Sequence, residues 1–221
     1  MKLLVLGGTG GVGEHLLPLA VAAGHEVTTL ARASSTFTPP EGVRVLRGEV
    51  MDRAALAGAL TGVEAVLSAL GMRRRNPANP WSPLTSPADF NSASARVLVG
   101  AMQAAGVRRL VAVSAAGVAE SAADLNWVMR FFVAKSNVGV AYRDLAVMEQ
   151  VLAESGLDWV APRPTRLTRG PKTGSVKVVP SFGAMDAISR ADVADWMVQA
   201  LAEPVWPAAA WGARTPQITS A

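Results

Sequence analysis

The chain has no cysteine, a single tyrosine, two histidines and no long apolar run. Without cysteine there are no disulfides, thiolate nucleophiles or cysteine-ligated metals, and a reducing compartment is the natural setting. No metal site is expected. The sequence pI of 10.1 comes with a net charge of only +4 and no extended basic run. The basic, aromatic-lined surface of a nucleic-acid binder is therefore not expected. No stretch approaches the roughly 18 apolar residues of a membrane span, and no signal-peptide pattern precedes the first strand. The expectation is a cytoplasmic protein without nucleic-acid or membrane partners.

What is present suits one α/β domain spanning residues 1–221, with half the residues apolar. The chain opens with KLLVLGGTGGVGEHLL over Lys2 to Leu17. The apolar run Leu3 to Leu6 breaks into Gly7-Gly8-Thr9-Gly10-Gly11-Val12-Gly13. Apolar residues then return at Val12, Leu16, Leu19, Ala20 and Ala23, the spacing of one helical face. This reads as a buried parallel strand, a tight glycine turn and a helix that begins inside the turn. Positions without a Cβ let the backbone approach a ligand, and the helix start offers unpaired N–H groups and partial positive charge to a phosphate. Gly7, Thr9, Gly10, Gly11, Val12 and Gly13 are the candidate binding residues. Pro18 falls inside this helix and predicts a kink.

Strands are expected at Glu26 to Leu30, Val43 to Arg47, Ala65 to Ala69 and Leu110 to Val113, alternating with helices at Asp52 to Leu60 and up to Ala105. That alternation predicts a doubly wound parallel sheet. Ser86-Pro87-Ala88-Asp89 and Ser189-Arg190-Ala191-Asp192 both have the form of capping boxes. The segment Gly71 to Pro87 has no period and reads as a long loop, of the kind that is often functional. Trp127, Val128, Met129, Phe131 and Phe132 form an apolar cluster that reads as a core contribution more readily than as a lid. A long helix is expected around Ala141 to Glu154 and a strand at Ser175 to Val179. The residues from Pro204 onward read as a surface wrap.

In such sheets the end of the second strand addresses the adenosine ribose, where an NAD site places a carboxylate. This chain instead offers Leu30-Ala31-Arg32-Ala33-Ser34-Ser35, with Arg32 lying 19 residues past Gly13. An arginine can hold a 2′-phosphate by charge-assisted hydrogen bonds, and Ser34 can add a donor. NADP(H) is therefore expected over NAD(H).

Several further segments carry a family resemblance: RGEVMD at 47–52, SALG at 68–71, AAGVRRLVAVSAAG at 104–117, MEQVLAESGLDWVAPRP at 148–164 and ISRADVADWMVQAL at 188–201. With the glycine turn, they make the chain resemble the atypical short-chain dehydrogenases/reductases of the NAD(P)H-binding, NmrA-like kind. Within that group it is similar to the flavin reductase/biliverdin reductase B branch. The resemblance implies a Rossmann fold with a small C-terminal extension on the substrate side. It also implies adenine contacts from Glu49 and Val50, and adenosine and phosphate contacts from Ala69, Leu70 and Gly71. Ser114 would lie beside the nicotinamide, with Arg163, Pro164 and Thr165 closing over that ring.

Reduction of a carbonyl usually requires a proton donor at the developing alkoxide. Ser114 and Tyr142 are the candidate catalytic residues. In catalytic members of the wider superfamily a lysine follows the tyrosine by four residues, and here that position is Ala146. This weakens alcohol-dehydrogenase and sugar-epimerase readings but leaves flavin reduction intact, since a flavin can take its proton from solvent. Arg73, Arg74 and Arg75 suggest a cationic rim for an acidic acceptor, and Trp81 a surface for a planar one. The leading expectation is an NADPH-dependent reductase acting on a flavin or similar acceptor. A non-catalytic NADP(H) sensor, or an atypical reductase, epimerase or dehydratase acting on a small carbonyl or nucleotide-sugar, are the alternatives.

Overall fold

A computed structural model describes residues 1–203 and 214–221. Six parallel strands form the central sheet: β1 (Lys2–Leu6), β2 (Glu26–Ala31), β3 (Val43–Arg47), β4 (Ala65–Ser68), β5 (Arg109–Ala112) and β6 (Asp158–Val160). Their order is β3-β2-β1-β4-β5-β6, so the chain reverses direction across the sheet between β1 and β4. That reversal opens a crevice at the carboxyl ends of these two strands, the position where such sheets bind ligands. Strand periodicity divides β1 between two cores. Leu3 and Val5 pack towards α1 (Gly13–Ala22) and α6 (Arg190–Gln199). Leu4 and Leu6 pack towards α2 (Arg53–Ala59), α3 (Phe90–Ala105) and α5 (Asn137–Glu154). A strand buried on both faces must be apolar throughout, which is why LLVL reads as an unbroken run.

Beyond β6 the chain builds the small extension. β7 (Arg163–Pro164), β11 (Gln217–Ser220) and β9 (Val176–Val179) form a three-stranded sheet, and β8 (Arg166–Thr168) pairs with β10 (Ala187–Ser189). The expected surface wrap is corrected here. Residues 204–213 lie outside the described part, but β11 is buried between its two neighbours, with Ile218 fully inaccessible.

Other expectations change as well. α1 runs through Pro18, whose ring sits on the exposed face, so the Glu14 carbonyl left without an N–H partner is near solvent. Ser86 does not cap α3. Its hydroxyl accepts from the Arg73 N–H at 2.9 Å, and α3 starts at Phe90. The helix start is satisfied from a distance. The buried Asp144 of α5 accepts from the N–H of Asn91 at 2.7 Å and of Ser92 at 3.2 Å. Gly106, at φ 70°, ends α3 in the left-handed region. At Ser189 the serine half of the box forms, with the Ser189 Oγ accepting from the Asp192 N–H at 2.9 Å, while the Asp192 carboxylate accepts from the Ser189 hydroxyl and from Thr173 and Gly174 instead of the Ser189 N–H.

The long segment after β4 is ordered by its own hydrogen bonds. Arg74 and Leu84 form an antiparallel bridge, and the Arg75 and Thr85 N–H groups donate to the Pro83 and Arg73 carbonyls, both at 2.9 Å. Trp81 Nε1 donates to the Lys135 carbonyl at 3.0 Å, and its ring lies 5.4 Å from Phe132. The segment is thereby pinned to α4 (Trp127–Lys135), a helix with no buried residue. Trp127 is 81% exposed and Phe131 54%, so the cluster adds little to the core.

Candidate functional site

The site begins with the glycine turn, where missing side chains are a geometric requirement. Gly7 has φ 75°, and a Cβ there would lie 2.5 Å from the Ala69 carbonyl oxygen at the end of β4. A Cβ at Gly13 would run into the Gly7 carbonyl oxygen. These contacts let α1 start directly beneath the turn. The Gly10 N–H is used within the turn, donating to Gly7 O at 2.9 Å. The N–H groups of Gly11, Val12 and Gly13 have no acceptor among the described residues, and no side chain caps the helix. Three N–H groups without acceptors thus sit at the positive end of a helix, in a turn too tight for side chains at Gly7 and Gly13. The diphosphate of a dinucleotide fits this donor set. Thr9 lies half-buried in the same turn.

Arg32 and Ser34 lie exposed just past β2. The Arg32 guanidinium makes no hydrogen bond or ion pair among the described residues. The loop carrying it is held by Arg47, whose Nη1 donates to the carbonyls of Arg32 at 3.2 Å and Ser35 at 2.9 Å. Sequence reasoning missed Arg47, which looked like the last residue of an ordinary strand. Glu49 is exposed and Val50 half-buried beyond β3, while Ala69 and Leu70 are half-buried and Gly71 exposed beyond β4. All of these lie at the carboxyl ends of strands on the crevice side.

The residues assigned to the nicotinamide end are more constrained. Ser114 is buried, and its hydroxyl donates to Glu149 Oε1 at 2.6 Å. Arg163 is 1% exposed, with its Nε and Nη2 donating to the Glu149 oxygens at 2.9 and 2.6 Å. Its Nη1 and Nη2 also donate to Glu120 at 2.6 and 3.1 Å. Burial alone would lower the pKa of this guanidinium, but hydrogen bonds and charge attraction from Glu149 and Glu120 raise it beyond its already high value. The Arg163 side chain thus turns into the protein, and the expectation that it closes over the nicotinamide ring is corrected to that extent. Thr165 donates its hydroxyl to Thr219 Oγ1 at 3.1 Å, and Pro164 is buried beside it. Glu149 and Glu120 were invisible as a pair, because in sequence each is one more helical glutamate.

Tyr142 lies on α5 against the loop that follows β5. A Cβ at Gly117 would come within 3.1 Å of its Cε1. Burial raises its phenol pKa above the ordinary value. Ser114 and Tyr142 therefore flank one loop; the Ser114 hydroxyl shares Glu149 Oε1 with the Arg163 guanidinium, and among the described residues burial, not a neighbouring charge, is what shifts Tyr142. Among the described residues no group of histidines and carboxylates has the arrangement of a metal site.

A fold with a glycine turn, unpaired helix-start donors and a strand-order reversal defines a dinucleotide-binding protein. The chain belongs to the NAD(P)H-binding family, whose model matches residues 7–204. It is 33% identical over 180 residues to a 3-diazoavenalumate denitrifying reductase from a Streptomyces species, a match covering 79% of this chain and 58% of that protein. It is also 34% identical over 80 residues to the isoflavone reductase homolog IRL of Zea mays, covering 32% of this chain and 26% of the relative. The chain thus spans between about a quarter and somewhat over half of these relatives' lengths. Among solved structures, the anaerobilin reductase ChuY of Escherichia coli O157:H7 superposes with a TM-score of 0.78 at 23% identity, covering 100% of this chain and 97% of that one. A short-chain dehydrogenase/reductase from Veillonella parvula, solved with NADP, gives a TM-score of 0.75 at 18% identity, covering 98% and 93%. These structural likenesses establish the fold. No helix among the described residues is long and apolar enough to cross a membrane.

Proposed function

We propose that the protein is an NADPH-dependent reductase that passes a hydride to a flavin or a similar planar, conjugated acceptor. The observation that carries this reading is where the Ser114 proton goes: into a hydrogen bond with the buried Glu149 carboxylate at 2.6 Å. Tyr142, the other candidate, has a phenol that burial makes a weaker acid, and Ala146 stands where an assisting lysine would be. A small carbonyl substrate needs a proton at its developing alkoxide, and of the described residues neither Ser114 nor Tyr142 is an activated donor. A conjugated ring spreads the incoming charge and takes its proton from water, so positioning is the main demand on the protein.

When bound, the dinucleotide supplies the hydride. The turn at Gly7 to Gly13 orients its diphosphate, and Arg32, held out by the Arg47 anchor, favours a 2′-phosphate over a 2′-hydroxyl. Exposed Arg73 and Arg75, with the partly exposed Trp81 ring in the same segment, favour an acidic, planar small-molecule acceptor. The reductase names among its relatives and structural neighbours support the same reaction class, and the absence of cysteine supports the cytoplasm as its setting.

The test is NADPH oxidation measured against a panel of flavins, quinones and tetrapyrroles. Steady turnover with FMN or riboflavin is the expected result. Tight NADPH binding with no acceptor reduced would replace this reading with that of a non-catalytic NADP(H) sensor.

A further inference from the structure

Arg190 is the first residue of α6, and its stem lies across the exposed face of the glycine turn. A Cβ at Gly11 would fall 2.9 Å from Arg190 Cδ and 2.9 Å from its Nε. The side chain missing at position 11 thus leaves the room that the arginine occupies. Two anchors fix it there. Its backbone belongs to a helix start capped by Ser189, and its Nη1 donates to the Thr168 carbonyl at 3.0 Å. No carboxylate lies within ion-pair distance of Arg190 among the described residues, and Nε and Nη2 have no acceptor there.

Beside this unpaired cation are the unpaired N–H groups of Gly11, Val12 and Gly13, at the positive end of α1. Positive charge set against the positive end of a helix is unfavourable unless an anion lies with them. Arg32 is not that anion's other partner, since it lies just past β2, on the ribose side of the turn.

We propose that Arg190 binds the cofactor's diphosphate, donating from α6 across Gly11 to the phosphate oxygens that the α1 N–H groups also hold. The assignment rests on the family's cofactor and is independent of which acceptor is reduced. It gives the two arginines separate tasks, Arg190 on the diphosphate common to both dinucleotides and Arg32 on the 2′-phosphate that distinguishes them.

The experiment is calorimetric titration of wild type, Arg190→Gln and Arg190→Lys with NADPH, NADH, ADP and adenosine 2′-monophosphate, with thermal melts run alongside. For Arg190→Gln, NADPH, NADH and ADP affinities should each fall about 10- to 100-fold, the range for a charge-assisted hydrogen bond. Adenosine 2′-monophosphate binding should be unchanged, the NADPH-to-NADH ratio should hold, and Arg190→Lys should recover part of the loss. Gly11→Ala, which displaces the arginine stem, should cost a similar factor, and the double variant should be no weaker than the worse single one. Unchanged dinucleotide affinity in Arg190→Gln overturns the proposal. So does a lowered melting temperature with ADP affinity intact, which would mean Arg190 only braces Thr168, or a loss confined to ligands with a 2′-phosphate. If the wild type binds neither dinucleotide, the cofactor assignment itself falls, and this one with it.

Discussion

The hydroxyl of Ser114, just past β5, donates to the carboxylate of Glu149 on α5, 35 residues away in sequence and 2.6 Å away in space. This bond joins the end of β5 to a chain of charges that runs from the buried Glu149 through the buried Arg163 to the exposed Glu120. Ser114→Ala should therefore act on stability more than on chemistry. The expected cost is about 1–3 kcal/mol in urea unfolding, because Glu149 loses a buried donor, with the flavin-reduction rate retained within a few-fold. A loss of turnover with stability unchanged would restore Ser114 as a catalytic group.

Removing the centre of that chain should be far more damaging. Arg163→Met would leave the fully buried Glu149 facing no cation, and breaking a buried pair in this way costs about 3–5 kcal/mol. Replacing Glu149 with Gln and Arg163 with Met together should recover part of the loss. A double variant as unstable as the sum of the two single variants would show that the pair is not coupled.

Tyr142→Phe should barely change flavin reduction. A fall on the order of 10²-fold, typical of a lost general acid, would revive a tyrosine mechanism. The pH–rate profile offers a second check, since a phenol that burial holds above its usual pKa adds no ionisation near neutrality.

Arg32→Ala should abolish a preference for NADPH over NADH and leave NADH affinity close to wild type. Arg47→Ala should weaken the same preference less, because it removes the anchor of the loop and not the phosphate contact. Both are read from dissociation constants for the two dinucleotides. Equal affinities in the wild type would end the Arg32 assignment.

Asp192 gives the fold a pH dependence. Burial would raise its pKa, but bonds from the Gly174 N–H, the Ser189 hydroxyl and the N–H and hydroxyl of Thr173 outweigh it and hold the carboxyl below its ordinary 3.8. A depressed carboxyl stabilises the fold fully above the unfolded-state value and loses that contribution as pH falls through the folded-state value. Unfolding free energy measured against pH should drop on the acid side of 3.8. Asp192→Asn should be less stable at neutral pH and show a shallower drop.

The parts legible in the sequence are those set by local chemistry. The glycine turn shows itself because a positive φ and two close backbone approaches demand glycine. The α6 cap is readable because Ser189 and Asp192 are three residues apart. The rest depends on partners distant in the chain. The Ser86 box lost to Asp144, a residue beyond the reach of any local pattern. β11 was hidden because four residues with one large apolar side chain resemble a loop until two strands flank them. The rings of α4 suggested core, but composition alone does not tell an apolar face turned inward from one turned outward.

Asp144 has a consequence for how the molecule comes apart. Because it satisfies the first turn of α3 from another helix, that turn and α5 cannot be independent: if α5 lifts, the Asn91 and Ser92 amides lose their acceptors together. Hydrogen exchange at those two amides should then follow the opening of α5 and not the fraying of α3's own end. Two N–H groups inside one helix become reporters on the docking of its neighbour.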